Sequence, residues 1–138
     1  MGIKQISVFL ENTSGRLGEV TKTLADAGVN LRAISIADTE DFGILRIIAD
    51  KTEDAVKALN AAGFTTGLTD VIAVEIEDVP GSLAKLMEMF RQASVNIEYL
   101  YASLEGKAGK AIVIFKLEDH QKGLKILNDN NQKMAEHF

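Results

Sequence analysis

The decamer ENTSGRLGEV beginning at Glu11 has a counterpart 77 − 11 = 66 residues later, EDVPGSLAKL beginning at Glu77. At that offset the two halves align without a gap over about thirty residues, the signature of an internal repeat. Ile6, Val8 and Leu10 fall on Ile72, Val74 and Ile76. Gly15 falls on Gly81, Leu17 on Leu83, and Val29-Asn30-Leu31 on Val95-Asn96-Ile97. A chain written this way folds as two copies of one unit. The boundary implied by the offset gives residues 1–69 and 70–138.

Periodicity then supplies the elements of each copy. In KQISVFL the residues Ile6, Val8 and Leu10 alternate with Gln5, Ser7 and Phe9, which is a strand with one strongly apolar face. Beyond the repeated loop the period changes. Leu17, Val20, Leu24 and Ala27 mark one face of a helix, as Leu83, Leu86, Met87 and Phe90 do in the second copy. Ala27-Gly28 closes the first helix, glycine accepting the left-handed backbone of a C-terminal cap. The second copy has Ser94 there, at a cost of about 1 kcal/mol if the geometry is kept.

VNLRAISIA and VNIEYLYASL read as second strands, GILRIIA and KAIVIFKL as third strands, joined by the polar turns DTEDF and EGKAG. A second helix follows, with Ala55, Val56, Leu59 and Ala62 on one face, matched by Gly123, Leu124 and Leu127. GFTTGLT supplies a fourth strand to the first unit before Asp70 leads into the second. NDNNQKMAEHF has no alternation, so the last strand is expected to be short or missing. The plan is β-α-β-β-α-β twice: an α+β protein of two tandem ferredoxin-like units, each an antiparallel sheet with its helices on one face.

Composition excludes several functions. With 15 Lys and Arg against 20 Asp and Glu the formal charge is −5, which disfavours nucleic acid and anionic membrane surfaces as partners. There are no cysteines, hence no disulfide framework and no thiol chemistry. The N-terminus runs straight into strand alternation with no signal-peptide pattern, and no apolar run has the length of a membrane span. A cytoplasmic location is the expectation. Neither His120 nor His137 sits in a metal or catalytic motif, and Asp38-Thr39-Glu40-Asp41 reads as a solvated turn without the spacing of a calcium loop. No catalytic residue, metal site or cofactor is assigned.

A β-α-β-β-α-β unit with glycine in its first strand–helix loop and GVN plus an aliphatic residue after its first helix resembles an ACT domain, and the resemblance covers nearly the whole chain as two copies. It implies a regulatory module of amino-acid metabolism that binds a small ligand, usually an amino acid, where two domains meet. The similarity is greatest to ACT domains that sense serine. It carries their ligand loop onto Asn12, Gly15 and Asn30 in the first copy, and onto Asp78, Pro80, Gly81 and Asn96 in the second. A family histidine falls on Leu10 and a family proline on Ser14, which puts serine itself in question. With their neighbours, the candidate ligand residues are Asn12, Ser14, Gly15, Arg16, Leu17, Asn30 and Leu31, and Asp78, Pro80, Gly81, Ser82, Leu83, Asn96 and Ile97.

These residue types suit an amino acid. A helix start offers N–H groups and a positive dipole end to a carboxylate. Asparagine both donates and accepts, whereas ionised Asp78 only accepts and suits an ammonium. The first copy, with Asn12, Ser14, Arg16 and Asn30, is the better carboxylate site. Each residue also has a plain structural use: the glycines as turn residues, the asparagines closing helix–strand connections, Arg16 as a solvated first-turn residue. Phe9, Phe42 and Phe115 either cover the open face of a sheet or fill a core, and Tyr99 and Tyr101 read as sheet packing.

Three functional classes remain. The first is a non-catalytic amino-acid-binding regulator. With two units and no catalytic domain in this length, output is expected to pass through a partner enzyme or a homodimer. The second is an enzyme subunit that has lost its ligand. The third, an enzyme in its own right, lacks any nucleophile–base pair.

Overall fold

Alternation of Ile6, Val8 and Leu10 builds β1 (Ile3–Glu11), and the change to helical spacing after Gly15 builds α1 (Arg16–Asp26). The chain continues through β2 (Leu31–Asp38), β3 (Phe42–Ala49), α2 (Thr52–Ala61) and a long β4 (Thr65–Glu77). The second half runs α3 (Ser82–Gln92), β5 (Ile97–Ala102), β6 (Lys110–Leu117), α4 (His120–Asp129) and β7 (Met134–Ala135). This computed structural model describes residues 3–38, 41–104 and 106–136. Thr39 and Glu40 of the acidic turn, Glu105 of the second turn and His137 lie outside the described residues. No helix among those described is long and apolar enough to cross a membrane.

The chain divides into two compact units, Lys4–Thr69 and the residues from Asp70 onward together with Ile3. In the first the strand order is β2-β3-β1-β4, and in the second β5-β6-β4-β7. Both are the ferredoxin-like order expected from the repeat. Registers agree as well: Ile6 pairs with Ile47 and Val8 with Leu45, while Ile72 pairs with Phe115 and Val74 with Val113. The sequence reading separates the fourth strand of the first unit from the first strand of the second. They are instead one 13-residue strand, β4. Strand neighbours in the sheet order flank it on either side, and backbone pairing of that kind outweighs the weak strand preference of Gly67 and Asp70.

Each unit has its own core between sheet and helices. Val20, Leu24, Ala55 and Leu59 press on Ile6, Val8, Leu45 and Ile47. Leu86, Phe90, Leu124 and Leu127 press on Ile72, Val74, Val113 and Phe115. Phe115 is therefore a core residue, not part of an open sheet face. Leu17 depart from the expected helical face, being 42% exposed, and Leu83 does likewise. Both are the second residues of their helices, and the next large apolar residues along, Val20 and Leu86, are buried.

Helix ends follow the repeat closely. Gly28 after α1 has φ +71° and Ser94 after α3 keeps the same left-handed backbone at φ +56°. The pair Gly63 and Asn131 ends α2 and α4 in the same way. Serine is strained at such a position, so Ser94→Gly is expected to stabilise the protein by about 0.5–1 kcal/mol, less the entropy glycine adds to the unfolded chain. Urea unfolding measures it, and a destabilised variant would show that Ser94 contributes a contact that outweighs the strain. The final strand, β7, is two residues long and pairs with β4 through Ala73↔Ala135 and Val74↔Met134. Its entry is held by the Gln132 side chain, whose Nε2 donates to the Glu75 carbonyl at 3.1 Å.

Candidate functional site

The two loops of the repeat are built on one template. Asn12 donates its backbone N–H to the Asp41 carbonyl at 2.9 Å, and Asp78 donates to the Gly109 carbonyl at 3.0 Å. Each loop then turns into its helix through a glycine at φ +87° (Gly15) or φ +92° (Gly81). Residues with a Cβ are disfavoured there, so the glycines have a backbone reason to be where they are. Neither helix start has a side-chain cap. The first N–H bonded within α1 is that of Glu19, to Gly15, and in α3 that of Lys85, to Gly81, both at 3.0 Å.

Asn12, Ser14 and Gly15 are exposed in the first loop, as are Asp78, Pro80 and Gly81 in the second. Arg16 and Ser82 are half-buried where the helices begin, and Leu17 and Leu83 are exposed in the first turns. Asn30 and Asn96 lie elsewhere. Asn30 receives the Asp50 N–H on its carbonyl at 3.0 Å and gives its own N–H to Asp50 Oδ1 at 2.9 Å. Asn96 receives the Glu118 N–H on its carbonyl at 3.0 Å. The backbone at both asparagines closes the helix–strand connection, with Leu31 and Ile97 packed against the cores beside them. The eleven residues of α1 rise about 16 Å, so one small molecule within a unit does not touch both the loop and Asn30.

What the loops do adjoin is a pair of clefts. In the first unit a cleft of about 250 Å³ is lined by Phe9, Leu10, Glu11, Arg16, Phe42 and the Gly63-Phe64-Thr65 segment. In the second unit a cleft of about 340 Å³ is lined by Glu75, Ile76, Glu77, Ser82, Lys110 and the Asn131-Gln132-Lys133 segment, with Lys85 and Leu86. The two are the same place in the repeat. Glu11 pairs with Phe42 across β1 and β3, and Glu77 with Lys110 across β4 and β6. The first cleft is aromatic. Arg16 lies over the Phe64 ring, 4.8 Å from its centroid, and its Nη1 is held by Glu19 at 2.6 Å. The second is ionic. Lys110 is bonded to Glu77, and Lys133 to Glu75 at 3.1 Å. That hydrogen bond from Lys133 holds the Glu75 carboxyl below the usual carboxylate range, against the opposing effect of burial.

The family model for an ACT domain pair matches residues 1–137. The chain belongs to the ACT-domain-pair family. A crystal structure of a Bacteroides thetaiotaomicron protein superimposes on this ACT pair with a TM-score of 0.92 at 38% identity, covering 98% of this chain and 92% of that one. The ligand-free regulatory subunit of aspartate kinase from Thermus thermophilus shares the fold, with a TM-score of 0.69 at 20% identity over 94% and 93% of the two chains. Over 74 residues the ACT pair is 35% identical to the acetolactate synthase small subunit of Buchnera aphidicola subsp. Baizongia pistaciae. That stretch is 53% of this chain and 46% of the relative, so the match spans about half the length of that protein.

Sequence reasoning picked out Arg16 and Ser82 but missed most residues that line the clefts of the ACT pair. Phe9 and Phe42 were visible as aromatics without a place, and 42 − 11 = 31 residues separate Phe42 from its strand partner Glu11. Gly63, Phe64 and Thr65 join them from the far end of the unit. Registers of that separation are decided by the folded sheet, and no local pattern announces them.

Proposed function

We propose that this ACT pair is a non-catalytic regulatory protein that binds a free amino acid and transmits the bound state to a partner enzyme of amino-acid metabolism or to a second copy of itself. The observation that carries the reading is the recurrence, beside the repeated loop of each unit, of a cleft small enough for an amino acid. Relatives named as the regulatory subunit of aspartate kinase and the small subunit of acetolactate synthase support the partner half of the reading. A ligand acts this way only by binding one arrangement of the protein better than another. Of the loop residues Asn12, Ser14, Gly15 and Arg16, the proposed contact is Arg16, which lines the first cleft; the other three take part only where a ligand reaches beyond that lining. Asn30, at the far end of α1, contributes only if a second copy brings it to the loop.

Thermal unfolding against each of the twenty amino acids at millimolar concentration tests this. A ligand at 100 times its Kd adds about 2.7 kcal/mol and moves the transition by several degrees. A selective shift, reduced by Arg16→Gln, is the expected outcome. No shift with any amino acid would overturn ligand binding. It would favour a second reading, an enzyme subunit without a ligand, which the self-paired charges of the second cleft already suit.

A homodimer is part of the proposal. β2 and β5 stand at the ends of the strand order, and Ile36 and Leu100 on them are exposed. Open edges of this kind favour pairing. Light scattering is expected to give twice the chain mass at micromolar concentration, and a monomer mass throughout would exclude the dimer.

A further inference from the structure

The two clefts have diverged from one template in a consistent direction. Phe9 of the first unit stands where Glu75 stands in the second. Phe42 stands where Lys110 does, and Thr65 where Lys133 does. In the second cleft four of the five charges, Glu75, Glu77, Lys110 and Lys133, are spent on one another as two ion pairs, with Lys85 the fifth. In the first, the corresponding walls are aromatic, and Phe42 is 61% exposed at the mouth. Large exposed aromatics flanking a concavity are what a binding cleft presents and a merely packed surface avoids.

The polar groups of the first cleft are few and of opposite sign. Arg16 lines it on one side, with Nη1 occupied by Glu19 and the buried Nε without an acceptor among the described residues. Glu11, beside Phe42 on the neighbouring strand, lines it on another. A cation and an anion flanking an apolar concavity match a molecule with a carboxylate, an ammonium and an apolar body. At about 250 Å³ the space lies just below the range of roughly 300–1,000 Å³ typical of drug-sized ligands, which suits an amino acid.

We propose that the first-unit cleft takes an apolar α-amino acid, its carboxylate on Arg16, its ammonium on Glu11 and its side chain against Phe9 and Phe42, and that the second-unit cleft takes none. This rests on the reading that the protein binds an amino acid, and adds which class and at which of two equivalent places. The aromatic walls offer an acidic side chain no partner, so placing one there costs desolvation that an apolar side chain does not suffer. The ion pairs of the second cleft would have to be broken before any zwitterion could be held there.

Isothermal titration of the whole chain decides it, with leucine, phenylalanine, lysine and glutamate as probes, and with leucine amide and 4-methylpentanoate as analogues lacking one pole. The expected result is binding of the apolar amino acids at one site per chain, weakened about tenfold or more by removal of either pole. Arg16→Gln and Phe42→Ser are expected to weaken it by a similar factor, and Lys85→Gln in the second cleft to leave it unchanged. The analogues need no variant, so the test survives misfolding of Arg16→Gln. Selective binding of lysine or glutamate would overturn the inference and leave the amino-acid reading standing. Two sites per chain, or a loss with Lys85→Gln equal to that with Arg16→Gln, would overturn the choice of cleft. Binding of no amino acid at all would overturn both.

Discussion

Alanine at Phe90 is expected to lower the unfolding free energy by about 3–5 kcal/mol, the cost of emptying a fully buried aromatic site. Phe90 is 1% exposed. It lies on the inner face of α3 and meets the ring of Phe115 edge to face, with centroids 5.6 Å apart and planes at 62°. That arrangement sets the positive edge of one ring against the negative face of the other and adds to the area buried. Leu86, Leu124 and Leu127 surround the pair from the two helices. With α3 above and the sheet below, the cavity has little freedom to collapse. Urea unfolding should show a lower midpoint with an unchanged slope. A loss below about 1 kcal/mol would mean that the core relaxes around the gap, contrary to close packing.

The second large effect is a contrast within one helix. Leu24→Ala is expected to cost about 2–5 kcal/mol, and Leu17→Ala less than about 1 kcal/mol. Both leucines carry the same apolar spacing, so the sequence ranks them alike. Leu24 is 1% exposed in the core of the first unit, whereas Leu17 keeps 42% of its surface in solvent. Truncating Leu17 removes few contacts and leaves no cavity. Equal losses at the two positions, measured by the same unfolding experiment, would place Leu17 in a packed interface and contradict its exposure.

The residues that were legible and those that were not differ in kind. Val20 and Leu24, Ala55 and Leu59, and Gly123, Leu124 and Leu127 were readable as inward faces because helical periodicity is local. Gly28 was readable as a left-handed position because it ends a helix, and Gly15 and Gly81 were readable as turn glycines. Ser94 was readable only through the repeat, which said that a glycine geometry was being asked of a serine. The continuity of β4 was not legible, since Gly67 and Asp70 look like turn material until strand neighbours are in place on either side. Asn30 looked like a partner of the loop because the resemblance groups the two. Helix length puts them at opposite ends of the unit.

The clefts mark the same divide. Arg16 and Ser82 stood out beside the repeated glycines, yet the property that separates the two sites is carried by Phe9, Phe42 and Thr65 against Glu75, Lys110 and Lys133. These residues come from β1, β3, β4 and β6 and, for Lys133, from the residue before β7, and only the folded sheet brings each set of three to its concavity. By itself the sequence determined the repeat, the β-α-β-β-α-β order, the helix ends and the apolar faces, because each depends on spacing within a few residues. The tertiary structure alone decided which exposed aromatics share a cleft and which charges neutralise one another. Those relations join positions far apart in the chain, and they arise only when antiparallel pairing closes the sheet.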